Sequence, residues 1–88
     1  MNDSLYRGPV KRSVAIAGHQ TSISLESVFW TALEGHARDR TIPLSALVAR
    51  IDAVRIDAED PPNLASAIRS WLMIAAIQID DKDDNYSQ

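Results

Sequence analysis

Cysteine is absent from all 88 residues, so neither a disulfide nor a thiolate-held metal can staple this chain, and the composition fits a cytoplasmic protein. Histidine is limited to His19 and His36, with no carboxylate at ligand spacing, and no metal or cofactor is expected. The three glycines form no phosphate-cradling loop, and no nucleophile sits beside a base, so the pattern is not that of an enzyme. Long apolar runs are also missing. The longest, Trp71 to Ile79, falls far short of the ~20 residues a spanning helix needs, and Met1 to Arg7 lacks the apolar stretch of a signal peptide; no membrane partner is expected.

Positive charge is not in excess: nine basic side chains oppose twelve acidic ones, for a net charge of −3. Its distribution says more than its sum. Asp80, Asp81, Asp83 and Asp84 against Lys82 account for the whole deficit, so residues 1–79 are neutral. Within residues 1–20, Arg7, Lys11 and Arg12 oppose Asp3 alone, a local basic excess. At this length the chain is one domain with a small core, for which a second subunit is a natural source of stability.

The informative stretch is Gly18-His19-Gln20-Thr21-Ser22-Ile23-Ser24-Leu25, a strand-like run leading straight into an amphipathic helix. Counting by two, Thr21, Ile23 and Leu25 share one side, and Gln20, Ser22 and Ser24 share the other. Such a strand must pair elsewhere in the chain or with a second copy to satisfy its backbone. Ser13 to Ala17 also alternates, but its apolar residues fall on even positions whereas Ile23 and Leu25 are odd. The register therefore changes near Gly18, either at a bulge in one long strand or at a turn between two short ones.

Residues 1–12 read as a flexible basic arm broken at Gly8-Pro9. A first helix is expected from Glu26 to Asp39, capped by Ser24 or Ser27 with Glu26 in its first turn; Val28, Phe29, Ala32, Leu33 and Ala37 form its buried stripe. A second runs from Pro43 to Arg55 and buries Leu44, Leu47, Val48, Ile51 and Val54. Ile56 to Pro62 reads as an exposed linker. Asn63 caps a third helix, Leu64 to Ile79, whose later part is apolar nearly all round and so implies a contact between subunits. Residues 80–88 read as a disordered acidic tail, leaving 13–79 as the folded domain.

Ser13-Val14-Ala15-Ile16-Ala17-Gly18-His19, Thr21-Ser22-Ile23-Ser24-Leu25-Glu26, Phe29-Trp30 and Asn63 to Arg69 together resemble the ribbon-helix-helix superfamily of DNA-binding proteins, in particular its short bacterial members. The resemblance spans about residues 11–72. It implies a mainly α fold with a short N-terminal β-ribbon: an intertwined homodimer, one strand from each subunit pairing antiparallel, with an additional C-terminal helix. The ribbon enters the major groove of double-stranded DNA, as expected of a transcriptional regulator, typically a repressor. Carried onto this chain, Gln20, Ser22 and Ser24 read bases. Ile23, Leu25, Phe29, Leu33, Leu47, Val48 and Ile51 form the dimer core.

The resemblance further implies that the N-terminus of the second helix, Thr41 to Ser45, clamps a phosphate through the Leu44 and Ser45 amides, helped by the Thr41 and Ser45 hydroxyls. Arg7, Lys11 and Arg12 are the candidates for contacts along the DNA backbone, as expected of a basic arm preceding a groove-inserting ribbon. The chain departs from the family pattern at Gln20, where a basic residue is common, and at Pro43, which has no amide hydrogen to offer. The third helix can join dimers into a tetramer. The competing reading is a protein-interaction module, antitoxin-like or an oligomeric adaptor, that does not bind DNA.

Overall fold

The structure, a computed structural model, describes residues 7–86, of which 79–86 are described by their backbone alone. Two strands, β1 (Val10–Ile16) and β2 (His19–Leu25), precede three helices, α1 (Ser27–Asp39), α2 (Leu44–Ile56) and α3 (Leu64–Tyr86). The first six residues of the expected arm and the last two of the expected tail lie outside this description.

Gly18 is a turn. It and Ala17 form a two-residue loop in which both have positive φ, 84° and 51°, as in the type I′ turn whose twist matches that of the flanking strands. The strands then pair antiparallel within one chain, from Val10 opposite Leu25 to Ile16 opposite His19. A glycine at the second loop position lets the chain fold back on itself, and both outer edges of the ribbon stay open among the described residues to the interchain pairing that the resemblance implies. The same register brings Val10, Lys11 and Arg12, expected in a flexible arm, into β1, where seven residues pair with the seven of β2.

The register also resolves the change of parity. Even-numbered Val14 and Ile16 share a face with odd-numbered Ile23 and Leu25, and all four are buried. They seal onto Trp30, Leu33 and Ala37 of α1, Leu47, Val48 and Ile51 of α2, and Ile68 and Leu72 of α3. Each large aliphatic or aromatic side chain so buried contributes about 1.5–3 kcal/mol before the entropy of ordering it is subtracted. Trp30 is the largest side chain in this core, and its one polar atom is satisfied: Nε1–H donates to the Val10 carbonyl at 2.9 Å. The indole thus ties α1 to the first residue of the ribbon.

The helices begin and stop for local reasons. Glu26, not a serine, precedes α1 as its cap; its carbonyl accepts from the Phe29 and Trp30 amides while its side chain is used elsewhere. The α1 stripe is turned from the expected one, since Trp30 is buried whereas Val28 and Ala32 are exposed and Phe29 is half-buried. At its C-terminus the Ile42 amide donates to the Ala37 carbonyl and the Thr41 amide to that of Arg38, the paired bonds of a Schellman motif. Thr41 supplies the left-handed residue this motif requires, at φ 56°, in place of the usual glycine. Pro43 stands just before α2, and Val54 near its end is 72 % exposed rather than part of the buried stripe.

Asn63 caps α3 as expected, its Oδ1 accepting from the Ser66 amide at 2.8 Å. The helix continues past Ile79 to Tyr86, so residues 80–86 have helical backbone where a disordered tail was expected; neither glycine nor proline occurs in that stretch to stop it.

Replacing Gly18 by Val puts a β-branched residue at positive φ, and we expect a loss of about 1–2 kcal/mol. Gly8→Val, where an added Cβ meets nothing within 4 Å, should change stability little. Urea unfolding of the two variants checks the difference.

Candidate nucleic-acid interface

Hairpin geometry divides the ribbon's side chains into two sets. Val10, Arg12, Val14 and Ile16 share one face with His19, Thr21, Ile23 and Leu25; Lys11, Ser13 and Ala15 share the other with Gln20, Ser22 and Ser24. The first set faces the helices. The second lies on the opposite face, where Lys11, Ser13, Ala15, Gln20 and Ser22 are exposed and Ser24 is half-buried.

Gln20, Ser22 and Ser24 are therefore brought together with two β1 residues, Lys11 and Ser13, that stand directly opposite Ser24 and Ser22. Sequence reasoning placed Lys11 in a flexible arm and gave Ser13 no role. Ser13 was nevertheless legible: once β1 turns Val14 and Ile16 inward, the intervening odd positions must point outward. One side-chain hydrogen bond crosses this face, from the Ser13 hydroxyl to Gln20 Oε1 at 2.7 Å.

Arg12 does not belong to the outward set. Its guanidinium turns over α1, 2.8 Å from Glu34 Oε1 and 4.7 Å from the centre of the Trp30 ring, because its strand parity matches that of Val14. With both partners partly exposed, the ion pair contributes about 0–1 kcal/mol, and Arg12 serves as a brace between ribbon and helix. Arg7 is exposed just before Gly8-Pro9. His19 shares the helix-facing side with Ile16. It borders a hollow of about 450 Å³ at the hairpin tip, lined also by Thr21, Asp52, Arg55 and Asn63. Arg55 is already engaged there by Asp52 at 2.8 Å and the Pro62 carbonyl at 3.1 Å.

At the N-terminus of α2 the first amides to donate within the helix are Ala46 and Leu47, both to the Pro43 carbonyl. Leu44 and Ser45 thus head the helix with amides that the helical ladder cannot use, and no side chain caps them. Thr41 is exposed and Ser45 half-buried beside them. The expected dimer-core residues Ile23, Leu25, Leu33, Leu47, Val48 and Ile51 are buried within a single chain, and Phe29 is half-buried against them.

Two further cations near the helices, Arg40 and Arg69, are engaged. Arg40 donates to the His36 carbonyl at 3.0 Å, with its Nη1 3.1 Å from His36 Nδ1, and its guanidinium lies 5.2 Å from the Trp71 ring centre. His36 meets the same indole edge-on at 5.0 Å, which makes it a packing residue between α1 and α3. Arg69 of α3 donates through Nε and Nη2 to Glu26 Oε1 and covers the Phe29 ring. Among the described residues, no three His, Cys, Asp or Glu side chains are grouped to hold a metal, and no helix is long and apolar enough to cross a membrane.

The family described as "Ribbon-helix-helix domain" matches this chain over residues 9–76, more than three quarters of its length. The match takes in both strands, α1, α2 and the first half of α3. No curated protein and no solved structure matches the chain.

A hydrogen bond from its own backbone amide, then the Arg69 guanidinium, holds the Glu26 carboxyl below the ordinary glutamate value. A lowered pKa stabilises the fold above the unfolded-state value, and this contribution disappears as pH falls through the folded-state value. Glu26→Gln should therefore be less stable than the wild type at about pH 7 and approach it at about pH 3, as read from urea midpoints at the two pH values.

Proposed function

We propose that this chain, which belongs to the ribbon-helix-helix domain family, is a sequence-specific DNA-binding regulator of transcription, a repressor, acting in the cytoplasm as a homodimer. The observation that carries this reading is the segregation of the ribbon. Four apolar residues anchor it to the core, while Lys11, Ser13, Gln20, Ser22 and Ser24 stand on the far face. A two-stranded ribbon fits the major groove, where hydroxyls and a carboxamide can bond base edges and an ammonium can meet a phosphate. The Leu44 and Ser45 amides at the start of α2 form a second phosphate contact, helped by the Thr41 and Ser45 hydroxyls, and Arg7 and Lys11 add further contacts that carry no sequence information.

Self-association is supported by what one chain leaves uncovered. Both outer edges of the two-stranded ribbon are unpaired among the described residues. Val28 on α1 and Met73, Ile74 and Ile77 on α3 are exposed. The α3 residues recur on one side of the helix, as a contact between subunits or between dimers requires. The same face supports the second reading, a protein-interaction module, and the response to salt separates the two.

In a titration against a random DNA pool, log K should fall by about 0.9 per phosphate contact against log salt, whereas an apolar interface should scarcely respond. The double substitution Gln20→Ala, Ser22→Ala should abolish sequence preference while leaving the salt slope in place. Equal recovery of every sequence by the wild type rejects the DNA reading.

Ile74→Asp and Ile77→Asp should lower the mass found by sedimentation without altering helix content by circular dichroism. An unchanged mass removes α3 from the assembly.

A further inference from the structure

The hydrogen bond across the outward face bears on which base the ribbon selects. Gln20 stands opposite Ala15, the one outward position with only a methyl group, and leans diagonally to Ser13, whose hydroxyl donates to its Oε1 at 2.7 Å. A glutamine carboxamide has two unlike ends, an oxygen that only accepts and an amino group that only donates. A serine hydroxyl that donates to the oxygen favours the orientation in which the oxygen is held within the ribbon and the amino group is left to meet a ligand.

The two purines present different edges in the major groove. Adenine offers an acceptor at N7 and a donor at N6, so bidentate reading requires both ends of the carboxamide to turn to the base. Guanine offers two acceptors, N7 and O6, and is met by a group that only donates. Reading adenine with both ends then means giving up or sharing the oxygen that Ser13 holds. Reading guanine leaves that bond intact.

We propose that Ser13 is a positioning residue that fixes the polarity of Gln20 and makes it select guanine over adenine, an inference resting on the reading that this ribbon meets DNA. Ser13 need not touch the base itself. It acts by deciding which end of its neighbour's carboxamide is presented. The bond replaces one to water, so its weight is that of one net hydrogen bond, a factor of about three to ten in the guanine-to-adenine ratio. Because β1 supplies the residue that orients one on β2, selectivity depends on the two strands keeping their register.

The test is selection from a random DNA pool by four full-length proteins: wild type, Ser13→Ala, Ser13→Thr and Gln20→Ala. The position whose preference disappears in Gln20→Ala is the one Gln20 reads. There the wild type should favour guanine, and Ser13→Ala should shift the ratio about three- to ten-fold toward adenine. Ser13→Thr retains the hydroxyl and should restore the wild-type preference, which a merely structural role for the residue does not predict. Adenine preference in the wild type, or an identical ratio in wild type and Ser13→Ala, overturns the inference while leaving DNA binding standing. A wild type that recovers all sequences equally overturns both. Ser13 is exposed, and matching urea midpoints for wild type and Ser13→Ala exclude a folding defect as the source of any shift.

Discussion

The arrangement depends on one packing event, the seating of Val14, Ile16, Ile23 and Leu25 on the three helices. Strand side chains alternate strictly, so fixing four of them inward leaves the orientation of every other residue in the ribbon determined. A slip of one residue would bury Ser22 and Ser24 and expose Ile23. The cost of leaving hydroxyls unpaired in a core of Leu, Ile and Trp holds the register against that alternative. The Trp30 indole adds a polar anchor at the open end of the hairpin through the Val10 carbonyl, while the Ala17-Gly18 turn closes the other end.

Electrostatics follow from the same division. Lys11 and Arg12 are adjacent in sequence yet serve opposite purposes, since alternate residues point to opposite faces. One adds charge to the outward surface; the other lies on Trp30 and pairs with Glu34. Arg69 and Arg40 are similarly committed, to Glu26 and to His36 with Trp71. The net negative charge is thus a poor guide to the outward face. What matters is which cations the fold leaves unengaged there, and Lys11 stands beside neutral hydroxyls and a carboxamide rather than carboxylates.

Much of this was legible in the sequence, and the failures have physical causes. The parity of Ile23 and Leu25 against Gln20, Ser22 and Ser24 gave the outward face of β2 correctly, and Asn63 was readable as a cap because an asparagine followed by a helical pattern offers its side-chain oxygen to the first free amides. The hairpin was harder to see. Ala17-Gly18 lacks the Asn or Asp that marks a type I′ loop, so turn and bulge were indistinguishable, and with them the side on which Ser13 would fall. Trp30, which as a tryptophan at helical spacing reads as core, is buried but lies outside the expected α1 stripe, because the apolar spacing of Val28, Phe29, Ala32 and Leu33 fits a second face equally well; the indole wins by its larger area and its bond to Val10. The length of α3 was underestimated because composition marks where burial ends rather than where helical backbone ends. The unused amides of Leu44 and Ser45, on which the proposed phosphate contact rests, are a feature of backbone geometry for which side-chain identity gives only the proline before them as a hint.

The claim most exposed to test is that β1 and β2 pair within one chain, with Ser13 opposite Ser22. Nuclear Overhauser spectra of a sample mixing isotope-labelled and unlabelled protein separate contacts within a chain from those between chains. The fold described here gives Ser13–Ser22 and Lys11–Ser24 cross-strand contacts in the intrachain spectrum. If those contacts occur only between labelled and unlabelled chains, or if Ser13 contacts a residue other than Ser22 across the ribbon, the outward face is composed differently and the account fails.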